Sequence, residues 1–294
     1  VDPYFASKAI LESKRLGLDV ERASAAWIRW MIAHQLPDGR FERYCSGSSV
    51  APLWTVCAEA DADDATMAIW IQLLLSVAPA EGMPRAWRTS LASAAGFLRR
   101  LRDERLGVYQ ISSTQPVALL MDNIEVYAAL RMLAAAPRVL SARHAGKSSS
   151  VTRLAPEQLR DAIMDVFWDP VARRFRVSTQ VLNMGGFYPD EVAQLYPLLD
   201  DLPVDRPSAA AYRDWMRRND STWLDMRADH YPWGLVALAA FKMGDDARVR
   251  CWLAKAAPFR YGPRWNVLEE AIFQALNAAN ERVKPTEPCS AIER

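Results

Sequence analysis

Residues 58–75 read AEADADDATMAIWIQLLL, and the rest of the chain is best read outward from them. Asp61, Asp63 and Asp64 crowd the start of an apolar run, with Glu59 just ahead of them. Met67, Ile69, Trp70, Leu73 and Leu74 follow at helical spacing. A helix N-terminus offers unpaired N–H groups and the positive end of the dipole, so acids there are locally stabilised. That accounts for one or two of them. Four acids within six residues also repel one another, which holds at least one carboxyl partly protonated. A cleft that needs an acid and a base near neutral pH is built in this way.

The same helical period runs through almost the whole chain. Apolar residues recur every three or four positions in 4–15, 20–34, 64–77, 86–101, 117–135, 156–168, 191–199, 208–218, 231–243, 247–256 and 265–279. β-like signals are confined to connections, chiefly RRFRVSTQ at 173–180. Eleven helices without a strand ladder make the class all-α. The connections alternate in character. Those at 78–84, 137–155, 200–207 and 244–246 are plain, and the flexible-looking stretch 141–151 reads as a surface loop. Those at 37–63, 108–116, 169–190, 219–233 and 259–265 are aromatic and rich in acids, and each leads into a strongly apolar helix.

Helices that run up, turn through a rich loop and run down would place every rich loop at one end. The apolar helices would line the inside, and amphipathic, basic ones such as 86–101 and 208–218 the outside. Five such hairpins plus the helix at 4–15 predict an (α/α)6 barrel, a six-hairpin toroid of twelve helices, with one expected before Val1. A superhelical stack of hairpins is the alternative, but no repeat of fixed period favours it. Residues 1–294 read as a single domain, with 283–294 a flexible tail.

Composition narrows the function. With 51% hydrophobic residues and 11 Trp the chain can bury a sizeable core. Its 36 basic against 35 acidic residues give no support for nucleic-acid binding. No apolar run approaches the roughly 20 residues of a membrane span, and no signal peptide is recognised, so no membrane association is expected and the compartment stays open. Cys45, Cys57, Cys251 and Cys289 lack paired CxxC spacing, and with three histidines they form no zinc pattern, so neither metal nor cofactor is expected. The cysteines read as free thiols, Cys45 and Cys57 being the pair an oxidising compartment could join.

The predicted topology gathers Asp61, Asp63, Asp64, Asp122, Glu125, Asp190, Glu191, Asp229, His230 and Glu269 at one mouth. Trp54, Tyr109, Phe187, Tyr188, Trp223, Tyr231, Trp233 and Trp265 come with them. Singly, each has a plain structural explanation: Asp122 a buried hydrogen bond, Asp190 a helix cap, Glu269 beside Glu270 a solvated face. Together, acids at helix starts and flat aromatic rings suit a carbohydrate, which presents hydroxyls to carboxylates and apolar faces to rings. Glycoside hydrolysis needs two carboxyl groups flanking the scissile bond, and acids on separate helices suit the wider, inverting arrangement.

ADADDATMAIWIQLLL, LMDNIEVYAALRML, FWDPVARRFRVST, GFYPDEVAQLYPLL and ADHYPWGLVALAAFKMGD together resemble the six-hairpin glycosidase superfamily over residues 20–279. The resemblance implies an (α/α)6 toroid whose inner-helix N-termini form an acidic, aromatic cleft. It places the acid and base in DADD, MDN and YPDE. We therefore expect a glycoside hydrolase using Asp122 and Asp190 as the acid/base pair, with Asp63 or Asp64 as alternates and Asp122 the general acid. Tyr188, Trp233 and Trp265 would hold sugar rings, with Trp54, His230, Glu191 and Tyr109 also binding substrate. Three other readings stay open. DADDAT and QLPDGRF (35–41) resemble the acid motif and aromatic repeats of class II terpene cyclases. A polysaccharide lyase could use Tyr188, His230 and Asn183. A non-catalytic sugar-binding protein would keep the aromatics alone.

Overall fold

The computed structural model describes residues 1–47, 54–136, 155–180, 186–227, 231–280 and 289. The expectations for Asn183, Asp229 and His230, and for the 141–151 loop, fall outside them, as does the 283–294 tail apart from Cys289. The described residues are mostly helical and form eleven α-helices. These are α1 (Pro3–Arg15), α2 (Glu21–His34), α3 (Asp63–Ser76), α4 (Arg85–Arg100), α5 (Leu120–Ala135), α6 (Pro156–Phe167), α7 (Tyr196–Leu199), α8 (Ser208–Leu224), α9 (Gly234–Lys242), α10 (Asp246–Ala256) and α11 (Val267–Asn280).

Local chemistry sets their ends. Asp2 accepts the Tyr4 N–H at 2.9 Å ahead of Pro3, and basic Lys14 and Arg15 sit in the last turn of α1. Asn266 caps α11 by accepting the N–H groups of Leu268 and Glu269. The stretch predicted at 191–199 is regular only at its end. A π turn (Phe187–Glu191) and a 3-10 turn (Val192–Leu195) precede α7, because Pro189 and Pro197 withhold backbone donors.

Burial separates the helices into two kinds. Every residue from Asp63 to Leu74 in α3 and from Leu120 to Leu130 in α5 is buried, and so is Gly234 to Ala240 in α9. By contrast α4 and α6 bury one apolar face and expose Arg85, Arg100, Glu157, Asp161 and Asp165 on the other. The packing order follows the sequence alternation. Helix α1 lies on α3, α3 on α5, α5 on α7, α7 on α9, α9 on α11, and α11 back on α1. Helix α4 covers α3, α6 covers α5, and α10 covers α9 and α11.

Two expectations need correction. The connection 37–63 contains an antiparallel hairpin, β1 (Glu42–Ser46) with β2 (Trp54–Glu59), bulged between Arg43 and Tyr44. Tyr, Trp, Thr and Val favour a pleated conformation there, in runs too short to show a clear period. A second, minimal pair joins β3 (Trp168–Asp169) to β4 (Arg174–Phe175), inside the stretch read as β-like. The cysteines are not free. Hairpin pairing sets the Cys45 and Cys57 Cα atoms 5.7 Å apart and they are bonded, while Cys251 of α10 is bonded to Cys289. Among the described residues no helix is long and apolar enough to cross a membrane.

Candidate active site

The N-terminal ends of the buried helices meet. Tyr4 and Phe5 of α1, Tyr188 before α7, Trp233 before α9, and Glu269 of α11 border a cavity of about 490 Å³. Its aromatic wall is ordered: the Tyr188 and Trp233 rings stack at 4.9 Å and 24°, and Tyr231 meets Trp233 edge-on at 4.7 Å. Trp233 takes φ 50°, which turns the chain sharply into α9.

Glu269 is a floor carboxyl. It is 2% exposed, and its Oε2 accepts the Gly234 N–H at 2.8 Å. Gly234 has to be glycine for this contact, since a Cβ there would stand 2.7 Å from Oε2. Burial pushes Glu269 up to about 7, against the hydrogen bonds from Gly234 and Tyr231. The solvated-face reading of Glu269 is thereby corrected. Glu270, one residue on, points outward to Arg260 and Trp265.

Behind Tyr4 lies a second acid group. The Tyr4 hydroxyl donates to Glu125 Oε1 at 2.8 Å, and Lys8 pairs with the same oxygen. Lys8 is 3% exposed, with its ammonium 4.9 Å from the Tyr196 ring centre and 5.3 Å from that of Tyr4. Pairing with Glu125 holds the Lys8 ammonium firmly charged despite burial. Burial outweighs Lys8 at the Glu125 carboxyl, which sits above the usual glutamate range. Asp122, 8% exposed in the first turn of α5, is pushed up to about 8, first by burial and then by Glu125, while Lys8 and a hydrogen bond with Asp64 act in opposition. The Tyr188 hydroxyl is raised to about 12 by burial and then by Asp122. Asp64, fully buried, is raised well above the ordinary range by burial and Asp122. Asp63 is raised to about 6 by burial, with Arg40 opposing.

Other candidates lie elsewhere. Asp190 accepts the Gly186 N–H at 3.1 Å, and Glu191 binds Arg174 and Asn219. Both border a separate cavity of about 640 Å³, and neither they nor Asp122 line the aromatic one. Tyr109 is 1% exposed, with its backbone clasped by Asn123. Trp54 lies exposed on β2, and Trp265 donates to Glu270 at 2.8 Å. Lys8 carried no signal in our reading of the sequence, although it lies one turn after Tyr4 on the buried face of α1. Among the described residues no group of three or more His, Cys, Asp or Glu is placed to hold a metal ion.

No protein-family model matches the chain, and no curated protein matches it. Among solved structures the fold is similar to that of a GH63 mannosylglycerate hydrolase from Thermus thermophilus, solved in complex with glucose. That likeness covers 93% of this chain and 92% of the other, with a TM-score of 0.52 and 14% identity. The likeness is one of overall fold.

Proposed function

We propose that the protein is a glycoside hydrolase acting on an oligo- or polysaccharide, and that its ring of buried helices is the inner layer of a single-domain (α/α)6 toroid. The observation that carries this reading is an aromatic cavity bordered by the buried carboxyl of Glu269 at the start of α11, with a second buried carboxyl, Asp122, in the first turn of α5. Stacked Tyr188 and Trp233 offer a flat apolar surface to a sugar ring. Asp122, the more strongly raised, serves as the general acid. Glu269 takes the place that the sequence reading gave to Asp190 and serves as the base.

In this mechanism Glu269 takes a proton from water as the water oxygen bonds to the anomeric carbon. The glycosidic C–O bond breaks, and Asp122 gives its proton to the departing oxygen. The product anomer is inverted. Glu269 then releases its proton to solvent, and Asp122 regains one. Activity should rise through about pH 7 as Glu269 ionises and fall above about pH 8 as Asp122 does.

The test is release of reducing sugar from a panel of oligo- and polysaccharides by the wild type, Asp122→Asn and Glu269→Gln. Each substitution should lower kcat by roughly 100-fold or more with substrate still bound. Full activity in either variant sinks the assignment. Unsaturated products absorbing in the ultraviolet would instead mean a lyase, and binding without turnover in the wild type a sugar-binding protein.

A further inference from the structure

A further cavity of about 450 Å³ lies between α6, the β3–β4 turn and α8, and shares no lining residue with the aromatic one. The proposed hydrolysis leaves it unused, although it has the size of a small-molecule site. Its walls offer carbon and few free hydrogen-bonding groups. Met164, Trp168, Phe175, Leu198, Ala211 and Trp215 line it, and the Trp168 and Phe175 rings meet at 4.9 Å. The polar atoms beside them are engaged within the protein. Trp215 Nε1 donates to the Glu191 carbonyl at 2.7 Å, and the Tyr212 hydroxyl to Asp245 at 2.8 Å. Gln194 accepts from the Phe175 N–H and donates to its carbonyl, each at 2.9 Å. A molecule seated here would gain chiefly by burying an apolar body, and a flat one suits the aromatic lining.

The charge around this recess is mostly of one sign. Arg173, Arg174, Arg206 and Arg218 border it against a single acid, Asp205. Two of the guanidinium groups are taken: Arg174 pairs with Glu191 at 3.1 Å, and Arg206 pairs with Asp214. Arg173, in the β3–β4 turn, and Arg218, on α8, are exposed and have no ion-pair or hydrogen-bond partner among the described residues. Asp205 can offset only one of them. A guanidinium presents a planar fork of donors that matches a carboxylate. An exposed ion pair alone is weak, so charge and apolar burial have to act on the same molecule.

We propose that this cavity is a second binding site, for a small aromatic carboxylate, with Arg173 and Arg218 holding the anionic group and Phe175, Ala211 and Trp215 receiving the ring. The site lies apart from the carboxyls given the hydrolytic roles above, and the inference stands whether or not the protein cleaves a sugar. Neither half of the ligand suffices: the charge without a ring meets only solvated arginines, and the ring without a charge leaves them unused.

The experiment is indole-nitrogen NMR of the full chain labelled in its tryptophans, titrated with 2-naphthoate. The Trp168 and Trp215 signals, assigned from Trp168→Phe and Trp215→Phe, should move together and saturate, while Trp233 stays still. Naphthalene-2-carboxamide has the shape without the charge, and acetate the charge without the rings. Each should bind at least roughly tenfold more weakly than naphthoate. The double variant Arg173→Gln, Arg218→Gln should weaken naphthoate by roughly tenfold and leave the carboxamide unchanged. Should that variant not fold, salt decides in the wild type: raising sodium chloride from about 50 mM to about 500 mM should weaken naphthoate several-fold and spare the carboxamide. No saturable shift at millimolar naphthoate overturns the proposal, as does equal binding of the carboxamide or of acetate. Movement of Trp233 ahead of Trp215 would place the ligand in the aromatic cavity and overturn it too. So would displacement of naphthoate by phosphatidylglycerol vesicles that bind the protein more tightly, which would make this face a lipid-binding surface.

Discussion

Replacing Lys8 by Met would remove an ammonium from contact with Glu125 while keeping most of the side-chain volume. Lys8 is 3% exposed and Glu125 fully buried, so water cannot take over the lost partner. Removing one member of a buried ion pair typically costs about 3–5 kcal/mol. An independent route gives a similar figure. Glu125 in the variant would escape an unanswered charge by taking a proton. Holding it neutral at pH 7, against a free glutamate titrating near ~4.3, costs about 3.7 kcal/mol.

The sign follows from linkage. Above about pH 4.3 the folded variant would bind a proton that its unfolded chain does not, so its stability falls as pH rises. The deficit relative to wild type should therefore grow with pH, to at most about 1 kcal/mol at pH 5 and at most about 3–4 kcal/mol at pH 7, since the raised Glu125 carries part of that cost in the wild type. Denaturant titrations of both proteins at the two pH values, followed by tryptophan fluorescence, give the numbers. Adding Glu125→Gln should recover most of the loss at pH 7. An equal deficit at both pH values, or no recovery in the double variant, would mean that lost packing and not a stranded carboxyl is the cause.

Glu269, raised by burial to about 7, weighs against folding as pH climbs from the unfolded glutamate range towards that value. Glu269→Gln should thus stabilise the fold by about 3 kcal/mol at pH 8 and much less at pH 5, and thermal melts showing destabilisation at pH 8 would contradict this. Gly234→Ala would push Glu269 Oε2 away from a Cβ only 2.7 Å distant. The helix content should survive in circular dichroism while activity falls by roughly 100-fold, and an unchanged rate would mean that the position of Glu269 is immaterial. Asn123, fully buried, accepts the Tyr109 N–H at 2.7 Å and donates to the Tyr109 and Leu119 carbonyls at 2.9 Å. Asn123→Ala should cost about 3 kcal/mol in a denaturant titration by leaving those groups unpaired, and a loss below about 1 kcal/mol would imply that water replaces the amide.

Helix existence was legible because it depends on local spacing. The apolar face of each helix is written every three or four residues, and the alternation of plain and acid-rich connections marked which helices are buried throughout. The start of α3 was readable for the same reason: Asp63 and Asp64 stand next to an unbroken apolar run, so their burial follows from that of the helix. Even Glu269 carries a local signal. It shares a face with Ile272, Phe273 and Leu276 at intervals of three, four and seven, whereas Glu270 does not.

The partnerships depend on distance in space. Lys8 and Glu125 are separated by 117 residues, and nothing in the neighbourhood of either names the other. Cys251 could not be matched to Cys289 from spacing, because bonding depends on where the chain returns to α10. In sequence Asp122 stood a turn inside its predicted helix and Asp190 at the start of its own, and nothing local told their surroundings apart. The Pro-interrupted turns before α7 hold Asp190 by the Gly186 N–H beside a polar cavity, while packing of α5 between α3 and α7 enclosed Asp122. The sequence by itself determined which helices form and which acids begin them, through propensity and periodicity. Only the tertiary structure decided which carboxyls lose water and meet, because desolvation and pairing belong to the packed arrangement and to no single segment.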